Sequence, residues 1–150
     1  HAIGIAAGMS LASNLDNLNF KSFAMVGDGE CEEGSIWESA MLASKLKLNN
    51  IIAIVDRNRM GVTSKIEKDD GSGTLEGKFK AFGWETITID GHDFNSIIPA
   101  LKSLDNQSKP TAIIADTVKG KGVSFMESGI KWHHSVPSKE EFKIAKKELG

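Results

Sequence analysis

Apolar residues follow two different spacings along this chain, and the two spacings alternate. Helical spacing predicts helices over four ranges: Ala2–Leu15, Gly34–Leu48, Leu75–Phe82 and Phe94–Leu104. A fifth helix is predicted from Ser138, because Glu141 stands three residues later at the capping-box position. Short apolar runs predict buried strands over Lys21–Val26 and Asn50–Val55, and further strands are predicted over Trp84–Ile89, where apolar and polar residues alternate, and Pro110–Asp116. Because strands and helices alternate, we predict an α/β fold with a mostly parallel sheet flanked by helices.

Length and composition are those of one globular domain spanning residues 1–150. Apolar residues make up 40% of the 150 and charged residues 25%, and the net charge is −2. The sequence has no basic stripe of the kind that binds nucleic acid, and its apolar runs are too short to span a membrane. The single cysteine, Cys31, excludes an internal disulfide and is typical of a cytoplasmic protein. The chain begins inside a helical pattern, so we expect the domain to lack upstream elements at its N-terminus.

Two predicted strands end in corners rich in side-chain oxygen. GDGECEEG, residues Gly27–Gly34, follows the first strand, and DRNRMGV, residues Asp56–Val62, follows the second. One helix joins these strands, and a crossover between parallel strands brings both corners to the same edge of the sheet. We therefore expect Asp28 and Asn58 to converge on one point.

A carboxylate and an amide oxygen at one point suit a hard cation such as Mg²⁺ or Ca²⁺. Gly27 and Gly29 allow a ligand to approach the backbone closely, and the helix starting near Gly34 offers its N-terminus to a phosphate. These features predict a metal that bridges the protein and a diphosphate. Two ordinary polar turns are the alternative interpretation of the same residues.

Other ligand-binding motifs fit these corners less well. GDGECEEG carries Glu32 where a dinucleotide fingerprint needs its third glycine, and it lacks the lysine of a P-loop. The segment from Asp56 to Glu67 matches much of an EF-hand loop. However, Met60 offers no side-chain oxygen at the fifth position, and a strand rather than a helix precedes the loop.

With GDG at residues 27–29 and Asn58 further on, the sequence resembles the transketolase family, whose thiamine-diphosphate signature has this form. Arg59 stands where a second asparagine is usual. Further stretches resemble transketolase along the whole chain: HAIGIAAGM, EGSIWESAMLAS, GWETITIDGHD and DTVKGKGVSFME with WHHSVP. The resemblance is greatest to the N-terminal, diphosphate-binding subunit of split transketolases.

The resemblance implies a role for particular positions. Asp28 and Asn58 would bind the metal (Mg²⁺, or Ca²⁺ or Mn²⁺), with the backbone carbonyl of Met60 as third ligand. The residues implied to contact thiamine diphosphate are Asp28, Gly29, Glu30, Asn58, Val62, Lys119 and His133. His133 would also face the substrate, and Glu33 would couple two cofactor sites across a subunit interface, so these two are the candidate catalytic residues. His134 occupies a position where glycine is usual.

The same resemblance implies transfer of a two-carbon ketol unit between sugar phosphates, as in the pentose phosphate pathway. A pyrimidine-binding domain or C-terminal transketolase subunit would be required, in a dimer or heterotetramer. Deoxyxylulose-phosphate synthase and the α subunit of a 2-oxo-acid dehydrogenase share this cofactor half and remain alternatives. A catalytically silent domain that only binds a partner is a further alternative.

Overall fold

The computed structural model describes residues 1–61, 66, 71–127 and 129–150. Five helices are α1 (Ala2–Leu15), α2 (Gly34–Lys45), α3 (Leu75–Ala81), α4 (Phe94–Ser103) and α5 (Lys139–Leu149). Four strands are β1 (Ser22–Gly27), β2 (Ile51–Arg57), β3 (Glu85–Asp90) and β4 (Thr111–Asp116). Single 3₁₀ turns lie at Glu30–Glu32, Leu104–Asn106 and Ile130–His133. Within the described ranges, none of the helices is long and apolar enough to cross a membrane.

The four strands form one parallel sheet in the order β1-β2-β4-β3. The predicted α/β class and parallel sheet are therefore confirmed. The chain passes from β2 through α3 to β3 at the edge and returns through α4 to insert β4 beside β2. Consequently the carboxyl ends of β1, β2 and β4 lie side by side, where open parallel sheets bind ligands.

Helices cover both faces of the sheet, but not completely. One face packs against α1, α2 and α3 through the larger apolar cluster, which includes Ile3, Ile36, Val55, Phe79 and Trp84. A smaller cluster on the opposite face contains Ile52, Leu104 and Ile113. Strand β2 is buried on both faces over most of its length, as predicted. Strand β1 was predicted to be buried, and this is wrong for one face, because Phe23 is 53% and Met25 69% exposed.

Helix ends follow local chemistry. The predicted second helix extended to Leu48 but ends at Lys45, because Lys47 adopts a positive φ of 53° and the Leu48 amide turns back to the Ala43 carbonyl. The capping box of α5 is present, since Ser138 and Glu141 each accept the other's backbone N–H.

Candidate functional site

The Asp28 carboxylate joins the two predicted corners. Its side chain lies directly after β1 and only 3% of it is exposed. It accepts the backbone N–H of Arg59 at 2.6 Å and that of Gly29 at 2.9 Å. The Asp28 amide itself donates to the carbonyl of Asp56 at 3.1 Å. The corner after β1 and the corner after β2 are thus in direct contact at one edge of the sheet.

The environment of Asp28 opposes its negative charge when no cation is present. Burial raises the pKa of this carboxyl group, and the nearby Asp56 raises it further, while the amides of Arg59 and Gly29 act in the opposite direction. The balance is an elevated pKa. A cation beside this carboxylate would compensate its negative charge, so the site is electrostatically suited to binding a cation.

Asn58 closes a tight turn just beyond β2. Its side-chain oxygen accepts the N–H of Met60 at 2.9 Å, an Asx-type turn that fixes the backbone between them. The intervening residue, Arg59, has a positive φ of 60°, and its carbonyl accepts the N–H of Ile66 at 3.0 Å. The turn therefore holds Asn58 and the Met60 backbone next to the residue that contacts Asp28. Val62, which the sequence suggested as a cofactor contact, lies outside the described residues.

Gly29 lies where the two corners come together. A Cβ at this position would stand 3.2 Å from Cδ1 of Ile66 and 3.9 Å from the Cα of Gly61. A larger side chain here would push against the loop that follows β2. The glycine thus lets this loop lie close to the corner after β1.

Acidic residues surround the N-terminus of α2. Glu30 and Glu32 belong to a 3₁₀ turn that the sequence did not predict, and Glu33 occupies the N-cap position of α2 without a side-chain cap hydrogen bond. Glu30 is half-buried and accepts the Gly27 N–H at 3.4 Å, whereas Glu33 is exposed. A helix N-terminus attracts phosphate, but these carboxylates repel it. A phosphate group would therefore need a cation at the same corner.

His133 and Lys119 lie in segments that follow β4. Lys119 is half-buried and precedes Gly120, which has a φ of 73°; a Cβ on Gly120 would approach the Cβ of Met126 to 2.6 Å. The His133 ring packs edge-on against His134, 4.6 Å between ring centres. Burial lowers the pKa of His133, and the charges of Lys119 and His134 lower it further.

The structure does not connect this histidine with the corner at Asp28. Within the described part of the chain, no hydrogen bond or ion pair joins His133 or Lys119 to Asp28 or Asn58. The Nδ1 atom of His133 is buried and has no hydrogen-bond partner among the described residues. An unsatisfied imidazole nitrogen is available for a ligand.

Arg57 is a buried residue of this edge that sequence reasoning missed. Its side chain is 4% exposed and forms ion pairs with Asp116 and Glu76. The sequence pattern could have indicated its burial, because Arg57 continues the every-second-residue pattern of β2 on the face lined by Ile51, Ala53 and Val55. Next to it, the Thr117 hydroxyl donates to the Asp56 carboxylate through a short hydrogen bond.

The donor set at the Asp28 corner suits a hard divalent cation that has further ligands. No three His, Cys, Asp or Glu side chains cluster to hold a metal in the ranges that the structure describes. A carboxylate, an amide oxygen and a backbone carbonyl supply only half of an octahedron. Mg²⁺ commonly binds in this way when phosphate and water complete its shell.

Comparisons with known proteins identify the family of this domain. A family model described as the transketolase, thiamine diphosphate binding domain matches residues 6–150. A subunit of the apulose-4-phosphate transketolase of Phocaeicola vulgatus is 38% identical over 100% of this chain and 54% of its own length. The 6-deoxy-6-sulfo-D-fructose transketolase subunit SqwG of a Clostridium species is 39% identical over 96% of this chain and 53% of its own length. The chain thus spans about half the length of these relatives.

Solved structures show the same fold. A transketolase from Campylobacter jejuni superposes with a TM-score of 0.86 and 33% identity, covering 99% of this chain and 24% of that one. A transketolase mutant from Pichia stipitis, at 20% identity, superposes with a TM-score of 0.72 over 99% of this chain and 28% of its own, and supports the fold alone. The resemblance noted in the sequence is confirmed, and the chain belongs to the transketolase family, whose thiamine diphosphate binding domain it matches.

Proposed function

We propose that this chain forms the diphosphate- and metal-binding part of a thiamine-diphosphate-dependent transketolase. The reaction would transfer a two-carbon ketol unit from a ketose phosphate to an aldose phosphate. The observation that carries the proposal is the buried carboxylate of Asp28, which accepts the Arg59 amide 2.6 Å away, directly beside Asn58. This contact stands at the carboxyl edge of a domain that matches the thiamine-diphosphate family over nearly its whole length.

Asp28, Asn58 and the Met60 carbonyl are proposed to hold Mg²⁺, with Ca²⁺ or Mn²⁺ as substitutes. The metal would lower the elevated pKa of Asp28. It would also offset the repulsion between a phosphate and the acidic residues that precede α2. It would then attract the diphosphate, which Gly29 and Glu30 would contact together with the N-terminus of α2. Val62 remains a proposed contact of the thiazolium ring.

Residues of this chain would anchor the diphosphate and polarise the groups around it, whereas bound thiamine diphosphate would supply the nucleophilic carbon and accept electrons from the substrate. His133 is proposed to lie beside the diphosphate and the substrate. Burial lowers the pKa of His133, and its two ring nitrogens could accept or donate a proton there. Lys119 would add positive potential near the phosphates, and Glu33, exposed before α2, would couple two cofactor sites across an interface.

A partner subunit is part of the proposal. Two similar proteins are named as transketolase subunits, and this chain covers only about half of each. We propose that a C-terminal transketolase subunit, or an equivalent pyrimidine-binding domain, completes the site in a dimer or heterotetramer. A cytoplasmic location, where sugar phosphates occur, is proposed with it.

Magnesium-dependent binding of thiamine diphosphate tests the cofactor part of the proposal. Calorimetry on the full chain mixed with its partner subunit should detect binding with Mg²⁺ and none with a chelator. Asn58→Ala should lower the cofactor affinity at least tenfold. Asn49→Ala is the matched control, because Asn49 is an exposed asparagine just before the opposite end of the same strand, where its side chain donates to the Gln107 carbonyl. Equal binding by both variants would contradict the assigned site.

The reaction class needs a separate assay. Ketol transfer between pentose phosphates should be detected, whereas pyruvate consumption would favour deoxyxylulose-phosphate synthase or a 2-oxo-acid dehydrogenase. Cofactor binding without either activity would favour a catalytically silent domain.

A further inference from the structure

An ion-pair network at the carboxyl edge of the sheet is centred on Arg57. The guanidinium donates from Nε to Oδ1 of Asp116 at 2.7 Å and from Nη2 to Oδ2 at 2.8 Å. Its third donor, Nη1, reaches Oε1 of Glu76 at 2.6 Å, and this oxygen also accepts the Thr88 hydroxyl at 3.1 Å. The network therefore connects β2, β4, β3 and the first turn of α3.

The backbone of Arg57 is held together with its side chain. Arg57 and Asp116 are the last residues of their strands and pair in register. The Thr117 N–H donates to the Arg57 carbonyl at 3.2 Å. Immediately beyond Arg57 the chain leaves the sheet and enters the turn closed by Asn58. Arg57 is thus the last anchored residue before that turn.

Stability alone does not explain an arginine at this position. The preceding residues on this face of β2, Ile51, Ala53 and Val55, are apolar and buried, and an apolar side chain would continue that pattern. A buried ion pair is often no more stabilising than apolar residues of similar volume, because both charges must be removed from water. A two-point contact between guanidinium and carboxylate does, however, fix orientation in a way that apolar contacts do not.

We propose that Arg57, held by Asp116 and Glu76, is a positioning residue that fixes the turn carrying Asn58 and Met60 and thereby sets the affinity of this corner for a divalent metal. The inference rests on the proposed function, which supplies the metal. Hydrogen bonds to Asp116 and Glu76 raise the pKa of the guanidinium above its already high ordinary value, so Arg57 stays charged.

Two substitutions separate the positioning role from charge. Arg57→Met removes the network, while Arg57→Lys keeps the positive charge but loses the planar fork. Leu104→Ala is the control for lost stability, because Leu104 is 2% exposed in the apolar cluster on the opposite face. For each variant, the full chain with its partner subunit is titrated with Mg²⁺ at saturating thiamine diphosphate, and binding is followed by calorimetry.

We expect Arg57→Met to raise the half-saturating Mg²⁺ concentration at least tenfold and Arg57→Lys at least threefold. Leu104→Ala should change it less than twofold, although loss of this buried side chain lowers the melting temperature. Hydrogen exchange gives a readout that needs no metal: the amides of Arg59 and Met60, which bond to Asp28 and Asn58, should exchange faster in Arg57→Met than in Leu104→Ala.

The possible outcomes distinguish the two proposals. If the wild-type chain binds cofactor with Mg²⁺ but Arg57→Met matches Leu104→Ala in both readouts, the positioning role is wrong and the proposed function stands. Wild-type Mg²⁺ affinity in Arg57→Lys would show that charge suffices, which also overturns the role of the fork. If the wild-type chain shows no Mg²⁺-dependent binding, the proposed function fails and the metal affinity assigned to Arg57 fails with it.

Discussion

Replacing Asp28 by asparagine should affect the metal-free and the metal-loaded protein differently. The carboxylate is buried and receives two backbone N–H groups, so its loss would weaken two charge-assisted hydrogen bonds, by about 1 kcal/mol each. Removing the charge also removes the free-energy cost of burying it and the repulsion from Asp56. Because the pKa of Asp28 is raised on balance, we expect this relief to offset much of the lost hydrogen-bond energy.

Without metal, we therefore expect Asp28→Asn to stay within about 1 kcal/mol of wild type in free energy of unfolding. The asparagine can still accept one of the two N–H groups, while its own NH₂ group faces the other. For a chain of this size, 1 kcal/mol corresponds to a shift in melting temperature of roughly 2–4 °C.

With metal and cofactor, we expect the variant to be clearly less stable than wild type. A ligand at 100 times its dissociation constant stabilises the folded state by about 2.7 kcal/mol, or roughly 5–10 °C in melting temperature. Asp28→Asn should lose this rise, because Asp28 is the only charged group among the three proposed protein ligands of the cation.

Thermal unfolding followed by circular dichroism measures both arms, first with a chelator and then with Mg²⁺, thiamine diphosphate and the partner subunit. Asp105→Asn is the control, because Asp105 is an exposed carboxylate at the other end of the sheet that pairs with Lys21. A loss of several kcal/mol without metal would mean that Asp28 is structural. A full metal-dependent rise in Asp28→Asn would mean that it does not bind the cation.

Three further predictions concern other parts of the chain. Burial raises the pKa of the Cys31 thiol to about 12, so iodoacetamide at pH 8 should modify it over 100-fold more slowly in the folded than in the urea-unfolded protein; equal rates would contradict its burial. Because Lys119 contributes to the lowered pKa of His133, Lys119→Met should move the NMR titration midpoint of that ring upward, and an unchanged or lower midpoint would refute the coupling. Ser138→Ala removes one half of the α5 capping box and should lower the free energy of unfolding in urea by about 1 kcal/mol; an unchanged value would show that this helix end does not contribute to stability.

The succession of strands and helices along the chain was predictable, because each element has a clear periodicity and clear end signals. The continuous apolar run before Asp56 belongs to the central strand, and its burial on both faces follows from its composition. The run before Gly27 is also largely apolar, yet β1 lies at an edge of the described sheet and exposes Phe23 and Met25. Composition reports hydrophobicity, but only neighbouring elements decide what is covered.

The meeting of the two corners was predictable, because they follow consecutive strands. The contact between the corners of Asp28 and Asn58 follows from a single strand–helix–strand crossover, whose geometry is nearly fixed. Arg57 was missed because its partners, Asp116 and Glu76, stand 59 and 19 positions away and meet it only after β4 inserts beside β2.

By itself, the sequence determined the element types, the parallel sheet and the family, because periodicity and local motifs are properties of neighbouring residues. Only the tertiary structure decided the order of the strands within the sheet, the exposed face of β1 and the buried ion pairs around Arg57. These features depend on contacts beyond a single strand–helix–strand unit, and the local pattern of residues does not encode such contacts.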